Sequence, residues 1–171
     1  MLNLGHESIL RAFDNRSLID RLRSNWYNPP MASEYIRVIA ICLFRIDGNI
    51  LVFEGFDSVK ETFFYRPLGG EVNPGETTEE AIVREIHEEL DQEIVDIHLL
   101  GVLENLFVLE GAPGHEIVFV YDGRFADESV YENTSLTVRE DNGDVFEATW
   151  RSLDSFDNSH RLVPECLTSL L

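Results

Sequence analysis

The chain has 171 residues, of which 44% are hydrophobic, and this suits a single globular domain with a sizeable core. Its formal net charge is −19, and Lys60 is its single lysine. This charge argues against a nucleic-acid backbone or an anionic membrane surface as partner, because both attract Lys and Arg. It does not argue against a small phosphorylated substrate, since a metal ion can bridge acidic protein groups and phosphate.

The N-terminal residues and the cysteines bear on the cellular compartment. Residues 1–7 lack the charged-then-apolar order of a signal peptide, and no run resembles a transmembrane span. The two cysteines, Cys42 and Cys166, do not suggest a disulfide framework. We therefore expect a cytoplasmic protein.

Residues 1–32 are predicted to form an N-terminal helical arm ahead of the main domain, which we place at residues 33–171. Apolar residues recur at helical spacing between residues 6 and 24, and Asn28-Pro29-Pro30 closes the segment. Three packing modes stay open for the arm: on the core of its own chain, as a lid, or against a second subunit. The protein is accordingly expected to be a monomer or a homodimer.

The next segments predict a sheet. Residues 36–46 form a long apolar run rich in β-branched side chains, and Asp47-Gly48-Asn49 favours a hairpin that returns through residues 50–54. Further strands are predicted at residues 63–66, 97–108, 115–125 and 144–150, and a short helix at about residues 164–170. Strands before and after a central helix indicate an α/β fold, with a mixed sheet and helices on its faces.

The central helix carries an unusual cluster of acids. Glu85, Glu88 and Glu89 are spaced i, i+3, i+4, so a helix places them on one face. Like charges at this spacing repel, and a divalent cation would neutralise them. An apolar stripe suited to a core runs beside them, formed by Ile82, Ile86 and Leu90.

These residues resemble the Nudix box, G-x5-E-x7-R-E-U-x-E-E-x-G-U, in which U is a bulky apolar residue. Every spacing from Gly70 through Glu76 to the run Arg84–Glu89 is met. The pattern departs at Asp91 and Gln92, where the family has glycine and an apolar residue. Asp tolerates the left-handed conformation better than most residues. We therefore expect an intact metal-binding part and an altered helix exit.

The resemblance implies a Nudix-type α/β/α sandwich with a mixed β-sheet. It also implies hydrolysis of a nucleoside diphosphate linked to another moiety. The implied cofactor is Mg²⁺, with Mn²⁺ as the alternative, and the implied substrate is a small-molecule nucleoside diphosphate derivative. Arg84 is expected to orient the carboxylates by ion pairing. The implied metal-binding residues are Gly70, through its carbonyl, and Glu76, Glu85, Glu88 and Glu89.

The group that activates the attacking water is open. Glu88 or Glu89 are candidates, although a metal-bound carboxylate is a weaker base. Several family members place the base in a later loop, which here points to Glu140, for which a solvated acidic turn is the competing interpretation. Glu116 is the other late candidate.

Substrate contacts are expected before and after the box. Arg66 immediately precedes the box loop and is a candidate phosphate contact. Arg37 and Arg45 are eight residues apart on one predicted strand, so they would share a face as phosphate clamps or as surface residues. The further substrate-binding candidates are Glu104, His115 and Glu116.

The sequence does not name the substrate. Phe107 stands where ADP-ribose hydrolases of the family tend to have proline, and Leu109 where dinucleoside polyphosphate hydrolases tend to have tyrosine. The alternative to an enzyme is a catalytically weak nucleotide-binding or regulatory module, motivated by Asp91 and Gln92. A third hypothesis, an acidic Ca²⁺-binding domain, lacks the required Asp-x-Asp-x-Asp-Gly loop.

Overall fold

The structure is a computed structural model, and it describes residues 35–140 and 143–171. The predicted arm, residues 1–32, lies outside the described residues. No helix in the described part is long and apolar enough to cross a membrane. In chain order the strands are β1 (Arg37–Leu43), β2 (Arg45–Ile46), β3 (Asn49–Asp57), β4 (Thr62–Arg66), β5 (Leu68–Glu71), β6 (Ile94–Leu109), β7 (Ala112–Phe125), β8 (Ser135–Arg139), β9 (Val145–Ser152) and β10 (His160–Leu162). The α-helix, α1 (Thr78–Leu90), lies between β5 and β6, and short 3₁₀ helices occur at Glu128–Glu132, Leu153–Ser155 and Glu165–Leu170.

The strands form two sheets. The first has the order β5-β1-β7-β6, in which β1 runs parallel to β7 and antiparallel to β5. The second has the order β10-β4-β3-β9-β8, with β2 added against β3. In the second sheet β10 runs parallel to β4. Each sheet therefore contains one parallel pair beside antiparallel pairs, and both sheets are mixed.

Two hydrophobic clusters lie on opposite faces of the sheets. Alternate residues of β1 and β3 enter each cluster, as strand geometry requires. The first cluster includes Ala81, Ile82 and Ile86 of α1, and the second includes Leu167 of the last 3₁₀ helix. Helical segments therefore cover both faces, and the predicted α/β class with a mixed sheet between helical layers is confirmed.

The long apolar run at residues 36–46 is not one strand, contrary to the prediction. It divides at Phe44, which is fully buried, stacks on Phe125 at 4.0 Å between ring centroids, and accepts a hydrogen bond from Leu51 N–H. β1 belongs to the first sheet and β2 to the second, so the chain crosses between sheets at this residue. Arg45 is thereby separated from Arg37 and pairs with Asp122 at 3.1 Å.

Several short elements also differ from the prediction. Residues 68–71 were expected in a loop but form β5, and β8 and β10 were not predicted. All three are only three to five residues long, too short for a periodic pattern to stand out. The segment near residue 164 forms a 3₁₀ helix in place of an α-helix.

Candidate active site

The helix α1 begins and ends with specific caps. The Thr77 side chain accepts a hydrogen bond from Glu80 N–H, and the Glu80 carboxylate accepts one from Thr77 N–H, which together form a capping box. Glu79 and Glu80 also lie in the first turn, where the helix dipole favours negative charge. The cap holds the start of α1 against the loop that carries Glu76.

The exit of α1 keeps a normal geometry despite the missing glycine. Asp91 adopts the left-handed conformation, with φ 54° and ψ 40°, and its N–H donates to the His87 carbonyl at 2.9 Å. This is the conformation that a glycine adopts at a helix C-terminus. Asp91 therefore ends the helix in the conformation expected of the family's glycine.

Arg84 connects most of the acids of this region. Its guanidinium donates to Glu76 at 2.6 and 3.0 Å, to Glu85 at 2.8 Å and to Glu88 at 2.9 Å. It also donates to the Glu71 carbonyl at 3.1 Å. These hydrogen bonds lower the pKa of Glu76 to about 2 and raise that of Arg84.

Gly70 leaves space for the Glu85 carboxylate to pack against β5. It lies on β5 opposite Ala40 of β1, on the face covered by α1. A Cβ at this position would lie 2.3 Å from the Glu85 carboxyl carbon, so a side chain there would displace the carboxylate. The glycine thus allows the Glu85 carboxylate to lie directly against the backbone of β5.

Glu89 is the most buried acid of the helix, with 6% of its surface exposed. Gly69 N–H donates to it, but its Oε2 atom has no hydrogen-bond partner among the described residues. Burial raises the pKa of Glu89 well above its usual value, and the nearby charges of Glu140 and Glu85 raise it further, whereas Arg66 opposes them. A buried carboxylate with an unsatisfied oxygen is costly unless another group binds it.

Glu140 lies next to the helix although it is far along the chain. It follows β8, in the turn that leads to β9, and its N–H donates to the Asp144 carbonyl at 2.9 Å. Its charge is close enough to raise the pKa of Glu89. The structure therefore brings the late-loop acid to the acidic face of α1.

These residues fit a hard divalent cation. The unsatisfied Oε2 of Glu89 and the carboxylate of Glu85 above Gly70 are oxygen donors of the kind that Mg²⁺ prefers. Within residues 35–140 and 143–171, no three acidic, His or Cys side chains are already gathered at metal-binding distance. Arg84 holds Glu76, Glu85 and Glu88 in ion pairs instead.

A cavity of about 360 Å³ opens beside this acidic region. Its walls include Arg37, Arg66 and Glu116, and also the rings of Phe64 and Phe107. The volume is within the range of small-molecule sites. Arg66 joins the two regions, since it lines the cavity and also acts on the charge of Glu89.

The aromatic walls of the cavity rest on glycines of neighbouring strands. The ring of Phe64 occupies the space that a Cβ on Gly55 would take, and the ring of Phe107 does the same at Gly114. Sequence reasoning did not single out these pairs. A glycine opposite an aromatic residue in a hairpin is the signal that would have found them.

Two of the predicted substrate-binding residues lie away from the arginines. Neighbouring residues of a strand point to opposite faces, so His115 faces away from Glu116. Glu104 lies on the same outer face and pairs with His115 at 3.0 Å, with 65% of its side chain exposed. Glu104 borders the cavity at its rim, and the structure does not bring His115 into it.

Comparison with known proteins agrees with this geometry. The model of the NUDIX domain family matches residues 34–167. The chain is similar to the MutT NUDIX hydrolase of Burkholderia pseudomallei, with 25% identity and a TM-score of 0.57, over 80% of this chain and 97% of that one. A NUDIX hydrolase from Nitrosomonas europaea shares the fold, with 19% identity and a TM-score of 0.55, over 78% and 85% of the two chains. The chain therefore belongs to the NUDIX family, and it is a hydrolase that acts on pyrophosphate bonds.

Proposed function

We propose that the protein hydrolyses the diphosphate of a nucleoside diphosphate linked to another moiety, with Mg²⁺ as cofactor and Mn²⁺ as a substitute. One observation carries the proposal. The buried Glu89 has an oxygen with no partner among the described residues, and it lies close to Glu85, Glu140 and Arg66. A cation would satisfy that oxygen and relieve the repulsion among the three carboxylates.

The proposed metal ligands are Glu85, Glu88 and Glu89, with the Gly70 carbonyl and Glu76 in or next to the coordination sphere. A bound Mg²⁺ would offset the negative charge of the phosphates and lower the pKa of a coordinated water. Arg84 would orient Glu85 and Glu88 through the hydrogen bonds described above. Glu140, which is near the site without belonging to the helix, is the proposed acceptor of the proton from water, and Glu88 and Glu89 are the alternatives.

The proposed substrate position follows from the cavity walls. Arg66 lies between the acidic face and the cavity, and together with Arg37 it would bind phosphate oxygens. Phe64 and Phe107 would contact the organic part of the substrate. Glu104 and His115, on the outer face of β6 and β7, retain at most a role at the rim.

The test is hydrolysis of a panel of nucleoside diphosphate derivatives, with and without Mg²⁺. Wild-type protein should release nucleotide or phosphate from at least one compound, and chelation should abolish this. Glu89→Gln should lower kcat by about 10²–10⁴-fold. Glu79→Gln, an exposed acid in the first turn of the same helix, is the matched control and should keep wild-type activity. Full activity of Glu89→Gln would rule out the proposed site.

Glu140 is tested separately. If it is the base, Glu140→Gln should lower kcat by a similar factor while the Mg²⁺ concentration for half-maximal activity stays unchanged. A shift in that concentration would make Glu140 a metal ligand instead. If Glu140→Gln keeps the wild-type kcat and the wild-type Mg²⁺ requirement, Glu88 or Glu89 would be the general base instead.

The alternative function is a catalytically weak nucleotide-binding module. Its motive was the altered box exit, but Asp91 caps the helix in the conformation expected of glycine. No other feature of the described residues favours it. Binding of nucleotides across the panel without any turnover would support it over hydrolysis.

A further inference from the structure

Three side chains form a row across the first sheet at the wall of the cavity. Arg37 of β1 lies opposite Glu116 of β7, and Glu116 lies opposite Asn105 of β6, so the three share one face. Glu116 is only 2% exposed, and its Oε2 accepts a hydrogen bond from Asn105 Nδ2 at 3.0 Å. The carboxylate is therefore held from the side by its neighbour on the edge strand.

Two arginines reach this carboxylate from different sheets. Arg37 Nη2 is 3.5 Å from Glu116 Oε1, and Arg66 Nη2, from β4 of the second sheet, is 3.8 Å from Oε2. Both distances exceed the 2.7–2.9 Å typical of a charge-assisted hydrogen bond. The Nε atoms of both arginines are buried and make no hydrogen bond with any described residue, although the Arg37 Nε faces Glu71 Oε2 in an ion pair at 3.5 Å. Their donors are therefore only partly used.

The local charge favours an anion. Two guanidinium groups share one buried carboxylate, and Glu71, at 3.5 Å from Arg37, has a half-exposed side chain screened by water. The charge of Glu89, with which Arg66 also interacts, would be offset by the proposed metal ion. Without Glu116 the two guanidiniums would repel each other and turn toward other acids. With Glu116 in place, its carboxylate bridges the two guanidinium groups across the gap between the sheets.

We propose that Glu116 is a positioning residue: supported by Asn105, it holds Arg37 and Arg66 so that their unused donors converge on an oxyanion of the substrate. This rests on the proposed function, since the oxyanion is the substrate's diphosphate. Glu116 itself does not touch the substrate. It is neither the base nor a metal ligand, because its oxygens already face Asn105 and two arginines.

The direction in which Glu116→Gln changes anion affinity distinguishes a positioning role from an effect of net charge alone. Removing a negative charge beside two arginines should tighten anion binding if only net charge matters. Positioning predicts the opposite, because the released guanidiniums lose their shared geometry. Calorimetry should therefore show that Glu116→Gln raises the dissociation constants of ADP and inorganic pyrophosphate by about tenfold.

A matched control removes the same charge from the same cavity. Glu165 also lines the cavity and pairs with Arg161 at 2.8 Å, outside the row. Glu165→Gln should leave ADP affinity unchanged or increase it. Asn105→Ala should weaken binding in the same direction as Glu116→Gln but less, and it serves as the test if Glu116→Gln fails to fold.

A double-mutant cycle excludes a merely structural role. In an Arg37→Ala, Arg66→Ala background, Glu116→Gln should no longer weaken ADP binding, because the groups that it positions are gone and only the loss of a negative charge remains. A structural defect would persist in that background. Thermal unfolding of each variant provides the parallel measure of stability.

Turnover completes the test on any compound that wild-type protein hydrolyses. Glu116→Gln should raise KM by about the same factor as the dissociation constant and keep kcat within about threefold. A fall of KM, or a loss of kcat on the scale of a catalytic group, would overturn the proposal. If wild-type protein hydrolyses nothing in the panel but the binding results hold, the proposed function fails while the positioning role stands.

Discussion

Arg84 and Glu76 form a two-point ion pair, in which Nε donates to Oε2 at 3.0 Å and Nη2 donates to Oε1 at 2.6 Å. The pair connects the loop ahead of α1 to the second turn of the helix. The third guanidinium nitrogen, Nη1, donates to Glu85 and Glu88. One guanidinium group therefore orients three carboxylates.

The fork geometry of Arg84 leads to the first prediction. Arg84→Lys keeps the charge but cannot make the two-point contact. It should raise the Mg²⁺ concentration for half-maximal activity by about 10–100-fold, as loss of an orienting partner typically does. Arg124→Lys is the control, since Arg124 also pairs with an acid four residues on, Glu128 at 2.8 Å, on an exposed surface. Unchanged or tighter metal activation of Arg84→Lys would contradict the orienting role.

The close contact at Gly70 gives a second prediction. Gly70→Ala should displace the Glu85 carboxylate and lower kcat by about 10²-fold, since a misplacement of about 1 Å has effects of this size. Gly48→Ala should affect stability but not kcat. Gly48 has φ +76° with open space around it, so alanine strains the hairpin and lowers stability but leaves kcat unchanged. The comparison needs kcat and the unfolding midpoint of both variants, and equal kcat values would contradict it.

Asp57 makes stability depend on pH. Burial raises its pKa, but hydrogen bonds from Lys60 outweigh this and leave it below the ordinary 3.8. A carboxyl group whose pKa is lower in the folded state stabilises the protein above its unfolded pKa, and the stabilisation is lost as pH falls through the folded pKa. Asp57→Asn should therefore destabilise by about 1–3 kcal/mol at pH 7 and progressively less below about pH 4.

Urea unfolding of wild type and Asp57→Asn at several pH values measures this difference. Asp154→Asn, which removes a carboxylate from an exposed 3₁₀ turn, is the control and should show little change at any pH. If the difference in unfolding free energy between wild type and Asp57→Asn stays the same as the pH falls, the stabilisation by Asp57 would not depend on its ionisation.

The two cysteines should react very differently. Burial raises the pKa of the Cys42 thiol, with Asp122 adding to the effect, whereas Cys166 is exposed. Because the thiolate is the reactive form, a disulfide reagent should modify one thiol per folded chain and two after unfolding. Cys166→Ser should abolish the reaction of the folded protein.

Cys166 also reports on the cavity, since it is one of the lining residues. Bound ADP should slow its modification, with half-protection near the dissociation constant measured by calorimetry. Modification at the same rate under saturating ADP would place the nucleotide elsewhere.

Part of the site was predictable because it depends on local spacing. The interval between Glu85, Glu88 and Glu89 places them on one helical face wherever the helix packs, and Thr77 and Glu80 mark its start. Gly70 and Glu76 follow from the fixed gaps of the box. The same local logic could have been used at His115 and Glu116, because adjacent residues of a strand cannot line the same cleft.

Other predictions failed where they needed knowledge of neighbouring strands. Arg37 and Arg45 were expected on one face of one strand, but the chain passes between sheets at Phe44. The partnership of Arg37, Glu116 and Asn105 depends on the register of three strands. Register is chosen by the packing of whole faces, which no single segment contains.

The sequence by itself determined the family, the reaction class and the acidic face of the helix, because helical periodicity and fixed gaps act over a few residues. Only the tertiary structure decided that Glu140 approaches Glu89 and that Arg66 both lines the cavity and acts on the charge of Glu89. It alone decided that Glu116 is buried between two arginines. Those contacts join residues far apart in the chain, and they form only when sheet packing outweighs the entropy of closing the long intervening loops.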